Sequence, residues 1–482
     1  MKRISSFVCL FIVLSMILSL FSCSMLGGAS GSAGDSSYGD GYIGGAMGDT
    51  GPSEAPDADI GDMGAMGPSG DKGPSMDGTI DGDSSADIPE SVEPEGGESE
   101  EGGDDSTDDL PEEKPEENVT LPAGMITAGA WNDNDNYSAW LDLFNQGESK
   151  NGKFYNYTNP GYSVGYNSLN RVMVSVVNGE NPIAGATVTA SDEQGNPLFT
   201  AVSDANGNAY LFTDAARGII TVTNGDEIVN TSFTAQGGLV KVELSSTDKK
   251  LDVIELMFVV DVTGSMGDEI SFLKAEIADV INRISSDNSN AKINLALLFY
   301  RDNGDRVPFD YYDFTDVTNA LGLLAQQTAL NLQSASGGGD YPEAVDEALE
   351  MAVNKQWSTG STTKMIFHVL DAPTHDGEEY NKRLVNATKT AAEKGIRICP
   401  IICSGAAEKT EYIMREAAIY TGGTFIFVTD DSGIGDSHHD PELPNVTVEL
   451  LNSLMVRLVN GYHTGDFAEP IFWKQDPNLN NK

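Results

Sequence analysis

Cysteine is scarce here, with four residues in 482, at positions 9, 23, 399 and 403. That excludes a disulfide framework of the kind that staples small secreted domains. Cys399 and Cys403 sit four apart in IRICPIICS, which reads as a strand. Four strand residues span about 13 Å, beyond the ~7 Å limit on Cα separation in a disulfide, so both are read as free core thiols. Histidine is also sparse, at five residues. There is no H-E-x-x-H and no Cys–His pair to build a nucleophile or a zinc site. Ser265 lies in TGSMG rather than a G-x-S-x-G elbow, and Thr263 stands where an aspartyl-phosphate enzyme would want a second Asp. The chain is therefore not expected to be an enzyme. Basic charge is the third shortage: 28 Lys and Arg face 74 Asp and Glu, for a net charge of −46. No basic stripe exists to neutralise phosphates, so nucleic acid is excluded as a partner.

Long apolar runs are missing too, apart from Phe7 to Phe21 behind Lys2 and Arg3. That run is too short for an ordinary membrane span and reads as an export signal over residues 1–23. Its end, Leu20-Phe21-Ser22-Cys23, resembles a bacterial lipobox, which implies lipidation of Cys23 and anchoring at a membrane or cell surface. A plain signal peptide or an uncleaved anchor is the alternative, because Phe21 stands where a small residue is usual. Residues 24–118 carry about 26 acidic side chains against Lys72 and Lys114, with almost no large apolar groups. Such a segment cannot bury enough surface to offset chain entropy and is expected to be a disordered Gly/Ser/Asp/Glu/Pro linker.

Residues 119–167 hold aromatic anchors (Trp131, Tyr137, Trp140, Phe144) around an Asn/Asp turn, and are read as a segment docking onto the next domain. Asp133 and Asp135 lack the glycine and closing glutamate of a Ca²⁺ loop, so they are read as turn residues. Residues 168–247 show short strands separated by Gly, Asn and Asp, as in a small all-β domain. PIAGATVTA and SDANGNAYLF, with Asp204 and Gly207, resemble the carboxypeptidase-regulatory-like sandwich, which implies a spacer without chemistry.

From 251 to 462 strand and helix patterns alternate, predicting an open, doubly wound, mainly parallel α/β sheet. Strands are expected at 253–260, 292–300, 365–370, 396–403 and 424–429, with a weaker one near 307–313; residues 463–482 are read as a tail. Leu256 to Val260 form a continuous apolar run, the mark of a strand covered on both faces. It leads into Asp261, Thr263 and Ser265, all hard oxygen donors at the carboxyl end of a strand, where ligands of such sheets collect. Asp340, in GGGDYPEAV, and Asp371, in FHVLDAP, fall on the same edge. Oxygen donors of this kind suit Mg²⁺ first, with Mn²⁺ or Ca²⁺ as alternatives. Helix capping and turn formation are the other reading of these residues.

DVTGSM after a buried strand, YRD after the second, GGGD-x-PEAV and then FHVLDAP-x-H resemble, in that order, a von Willebrand factor type A domain. The resemblance implies a metal-ion-dependent adhesion site. Asp261, Thr263 and Ser265 match its first motif, Asp371 its later aspartate, and Asp340 the intermediate position, with Ser336 and Glu343 as alternative occupants. It further implies capture of a protein, matrix or cell-envelope ligand through a partner's carboxylate on the metal, which with the export signal and Cys23 gives the expectation of a lipid-anchored surface binding protein. The alternative is a structural component of an envelope complex with a purely structural metal. Among the remaining residues, His368 is expected in the core and His375 near the upper edge. Asp430, Asp431, Asp436, His438, His439, Asp440 and Glu442 are read as a solvated loop.

Overall fold

The described chain begins with β1 (Thr127–Trp131) and the short helix α1 (Tyr137–Asp142). Eight strands follow: β2 (Arg171–Asn178), β3 (Asn181–Pro182), β4 (Thr187–Ser191), β5 (Pro197–Val202), β6 (Asn208–Phe212), β7 (Arg217–Asn224), β8 (Glu227–Thr234) and β9 (Leu239–Glu243). The computed structural model describes residues 125–146, 152–234, 238–246, 251–432, 441 and 443–480. All of these fall within the unit Asp109–Lys482. The leader, Cys23 and the acidic linker lie outside the described residues, as do Asp436, His438, His439, Asp440 and Glu442. Among the described residues no helix is long and apolar enough to cross a membrane.

β2 to β9 form two four-stranded sheets, one ordered β3-β2-β6 with β9 parallel to β2, the other β5-β4-β7-β8. Alternation along β2 puts Val172, Val174 and Val176 in the same buried cluster as Val188, Ala190, Ile220 and Val222 of the second sheet.

The α/β part then runs through β10 (Val253–Asp261), α2 (Gly267–Asp287), β11 (Lys292–Tyr300), β12 (Phe309–Asp316), α3 (Ala320–Asn331) and α4 (Val345–Val353). It continues with β13 (Thr363–Leu370), α5 (Glu378–Lys394), β14 (Ile396–Ile402), α6 (Glu408–Thr421), β15 (Phe425–Val428), β16 (Glu449–Leu450) and α7 (Leu451–Thr464). Strand order is β12-β11-β10-β13-β14-β15-β1-β16. Neighbours from β11 to β15 pair in parallel, while β12 and the β1 pairings are antiparallel. The sheet is thus mainly parallel and α/β, as the alternation of patterns predicted. β10 lies near its centre, and Ile254 to Asp261 are all buried because helices cover both faces. Cys399 and Cys403 are free and buried.

Two segments differ from the sequence reading. The aromatic segment does more than dock: β1 enters the large sheet between β15 and β16, with Ala128 opposite Val428. Gly129 makes that approach possible, since a Cβ there would lie 2.4 Å from the Phe427 ring. Its aromatics pack on the α/β part rather than on the following β-strands alone: Trp140, Phe144 and Phe154 are buried, and the last two meet Tyr412 of α6 edge-on. The expected tail is also anchored, for Trp473 and Leu479 join Met125 and Leu450 in a small buried cluster.

α6 is the most enclosed helix of the fold, with every residue from Thr410 to Thr421 buried. Phe212 stacks on Tyr420 at 4.8 Å, and Tyr420 Oη accepts a hydrogen bond from the Asn167 N–H. In the middle of the helix, Arg415 lies between Asp133 and Glu411 with all three side chains at or below 1% exposure. Nε donates to Asp133 Oδ2 and Nη1 to Glu411 Oε1, both at 2.9 Å; Lys153 Nζ meets the other Glu411 oxygen at 2.8 Å. Asp133, read as a turn residue, is therefore the main partner of a buried arginine.

Candidate metal centre

Three loops meet at the carboxyl edge of the sheet, and backbone hydrogen bonds stitch them together. Val262 N–H donates to Tyr300 O, Ser336 N–H to Val262 O, and Gly264 N–H to Gly337 O. Glu343 N–H donates to Pro373 O, and Glu343 bridges Thr374 in parallel. The glycine-rich loop is held from the side: Asp305 Oδ2 accepts from Gly338 N–H at 2.9 Å, and Arg301 Nε donates to Ser336 O at 2.8 Å. Gly338 has φ +72°, and a Cβ there would press to 2.7 Å from Glu343 Oε1, so the loop needs glycine to pass the carboxylate.

This stitching surrounds a cavity of about 610 Å³ lined by Thr263, Ser265, Glu269, Glu343 and Asp371, with Asp340 at its exposed rim. Asp261 lies beneath, fully buried. Its Oδ1 accepts from both Thr263 N–H (2.9 Å) and the Thr263 hydroxyl (2.7 Å), whereas Oδ2 has no partner. Glu343 Oε2 is likewise buried without one. Burial pushes the Asp261 carboxyl up to about 7, with the Asp371 charge adding to it and the two Thr263 bonds opposing. Glu343 is pushed up to about 9, first by burial, then by the charges of Asp261, Asp302 and Asp371. Asp371 is raised by burial, opposed by a hydrogen bond from Ser265. Glu269, in the first turn of α2, is also raised by burial.

Capping does not account for these side chains. α2 starts after Met266, α4 after Ala344 and α5 after Gly377, none with a side-chain cap bond. Turn formation explains Asp261 Oδ1 and leaves Oδ2 over. Two bare buried carboxylate oxygens, a third carboxylate coupled to them and two hydroxyls fit a hard divalent cation. No group of three or more His, Cys, Asp or Glu among the described residues is arranged to hold a metal alone. The hydroxyls of Thr263 and Ser265 would be needed to complete the donor set.

The structure thus brings Thr263, Ser265 and Asp371 to one cavity above Asp261, with Asp340 on the exposed rim of that cavity. The buried third carboxylate is Glu343, three residues on, past a glycine loop that Asp305 holds at the Gly338 N–H. Glu269, Asp305, Arg301 and Tyr341 were not singled out by sequence. Tyr341 Oη accepts from Ala407 N–H at 2.7 Å and donates to Asp371 O at 3.2 Å, tying the site to the start of α6. His375 Nε2 lies 2.7 Å from Asp302 Oδ1, beside the site. His368 is buried in the core with Nε2 3.3 Å from Tyr300 Oη, and burial lowers it to about 3. The Cys399 thiol is pushed up to about 12 by burial, so it offers no thiolate.

A buried parallel strand ending in an Asp-x-Thr-x-Ser turn, on a sheet wound this way, defines a class of domain. Residues 255–430 match the family model of the von Willebrand factor A domain, and such a domain occupies them. Two relatives share this stretch. An ariadne-like RING finger protein of Acanthamoeba polyphaga mimivirus is 26% identical over 223 residues, 42% of this chain and 20% of that protein. The alpha-protein kinase vwkA of Dictyostelium discoideum is 25% identical over 197 residues, 38% of this chain and 29% of the kinase. The chain therefore spans less than a third of either relative. Among solved structures, BatB of Bacteroides thetaiotaomicron matches with a TM-score of 0.28 and 15% identity, over 38% of this chain and 91% of that one. The pilus adhesin SpaC of Lactobacillus rhamnosus GG matches at 0.31 and 11%, over 61% and 35%.

Proposed function

We propose that this chain is a non-enzymatic surface binding module whose α/β domain holds a divalent cation and, through it, a protein or matrix ligand. Asp261, Thr263, Ser265, Glu343 and Asp371 would hold the ion, with Mg²⁺ the first candidate and Mn²⁺ or Ca²⁺ the alternatives. The observation that carries the reading is the pair of buried, unpartnered oxygens, Asp261 Oδ2 and Glu343 Oε2, beside one open cavity. When bound, the cation supplies positive charge that a partner's carboxylate can complete. The chain's own residues do the rest: Thr263 fixes the Asp261 carboxylate, the glycine loop keeps Glu343 inward, and Tyr341 sets the Asp371 backbone. Export and a lipid on Cys23 would place the module at a membrane or cell surface, held out by the acidic linker.

A second reading has its own support. Three carboxylates at one cation make the centre net negative, which favours a structural metal in an envelope assembly over capture of an acidic ligand. Calorimetric titration of Mg²⁺, Mn²⁺ and Ca²⁺ into residues 119–482 tests the centre itself. Wild type should bind one ion, Asp261→Ala none, and Glu343→Gln about 10- to 100-fold more weakly. Full-affinity uptake by Asp261→Ala would remove the assignment. Partner capture lost on chelation supports the binding reading, whereas lost stability with capture intact supports the structural one.

A further inference from the structure

The mouth of the carboxylate centre carries charge of one sign. Asp268, Glu269, Asp340, Glu343 and Asp371 line the cavity, and no Lys, Arg or His does. Asp261 lies buried beneath them, and Glu343 Oε2 is buried without a partner. The overall acidity of the chain does not account for this. A cavity between the loop at 157–165 and α5 sets Asp376 and Glu378 beside Lys382 and Lys409. Another, at α4 and α5, sets Glu347 and Glu350 beside Lys355 and Arg383. Bases on the elements flanking the centre are engaged elsewhere. Arg301 donates to the carbonyls of Ser334, Ser336 and Val307, Lys274 donates to that of Gln333, and Lys409 reaches Asp376.

The five lining carboxylates and Asp261 make six negative charges when ionised, and a divalent cation offsets two of them. Asp268 and Asp340 are exposed at the rim, so the remaining negative charge faces the solvent from which a partner arrives. That field opposes an acidic segment and draws a basic one. Tyr341 adds a surface suited to the same partner. It is 47% exposed, lines the cavity, and has its hydroxyl tied to Ala407 N–H and Asp371 O, which offers a fixed ring to an ammonium or guanidinium. We propose, resting on the cation reading above, that the partner captured here is a basic protein segment: its Lys or Arg side chains pair with Asp268 and Asp340 while one of its oxygens completes the ion.

The test is selection of random displayed peptides on residues 24–482 in Mg²⁺, after depletion on the double variant Asp268→Asn, Asp340→Asn. That variant keeps the acidic linker, so depletion removes peptides that merely bind there. Both side chains are exposed, so the variant should keep the wild-type melting temperature and take up Mn²⁺ within about threefold of wild type. Enriched peptides should carry net positive charge and bind wild type at least tenfold more tightly than the variant. Their affinity should fall in EDTA and in high salt. With Mn²⁺ uptake by the wild type intact, the proposal alone is overturned if acidic or neutral peptides are enriched, if none is, if the variant binds them equally, or if binding survives EDTA. Absence of Mn²⁺ uptake by the wild type would instead remove the cation reading, and this proposal with it.

Discussion

Two buried charged clusters sit at opposite extremes of self-sufficiency. Around Arg415 the protein provides its own cation: both Asp133 oxygens and both Glu411 oxygens meet nitrogen from Arg415, Lys153 or Trp131. At the carboxyl edge of the sheet the charge of Asp371 raises both Asp261 and Glu343, that of Asp261 raises Glu343 further, and two of these carboxylate oxygens meet nothing. Burial of charge alone therefore does not mark a binding site. The distinction lies in whether the fold itself completes the donor and acceptor inventory.

The strongest way to break this comparison is Arg415→Ala. It leaves Asp133 to the Trp131 N–H and Glu411 to Lys153, without the guanidinium, and a loss of about 3–5 kcal/mol in urea unfolding is expected. A loss below ~1 kcal/mol would mean the Arg415 cluster is not the self-contained element described.

A pH series sharpens it further. Glu416, one residue along and bonded by the Ser168 hydroxyl at 3.0 Å, is pushed from its ordinary 4.5 up to about 8, first by burial and then by the charge of Asp133, with Arg415 opposing. The folded protein then keeps a proton that the unfolded chain releases. That stability is full below about pH 4.5 and is lost as pH rises through 8, with a slope of at most ~1.4 kcal/mol per pH unit. Glu416→Gln should flatten the profile between about pH 4.5 and 8; an unchanged slope would assign the effect to other groups.

The smallest effect belongs to Asp340→Thr. The side chain is exposed at the rim, so cation affinity measured by calorimetry should change less than about threefold, below 1 kcal/mol. A larger loss would make Asp340 a ligand after all.

Much of the fold was legible because the parallel strands are covered on both faces and so read as unbroken apolar runs, Leu256 to Val260 being the clearest. β1 was not: TAGAW has three small residues, and its partners in β15 lie some 300 positions away. The tail's anchor, Trp473, is a single side chain without periodicity. At the site, Asp261, Thr263 and Ser265 share one tight turn, so spacing alone brings them together. Choosing between Asp340 and Glu343 depends on the path of a glycine loop held by Asp305 and Arg301, from another strand's end. Asp133 and Arg415 are likewise 282 residues apart, beyond any local pattern.

β1 precedes the two small sheets in the chain but belongs to the large one. Residues 171–243 are therefore a guest enclosed by its host, joined at both ends rather than strung ahead of it on one linker. Cutting the chain at 251 to isolate the α/β part would strip a strand from the sheet interior, bare the facing edges of β15 and β16, and uncover α6. The smallest unit expected to fold as described begins before Thr127, and a mechanical load arriving from the N-terminal side would reach the large sheet through β1 before it reached the guest.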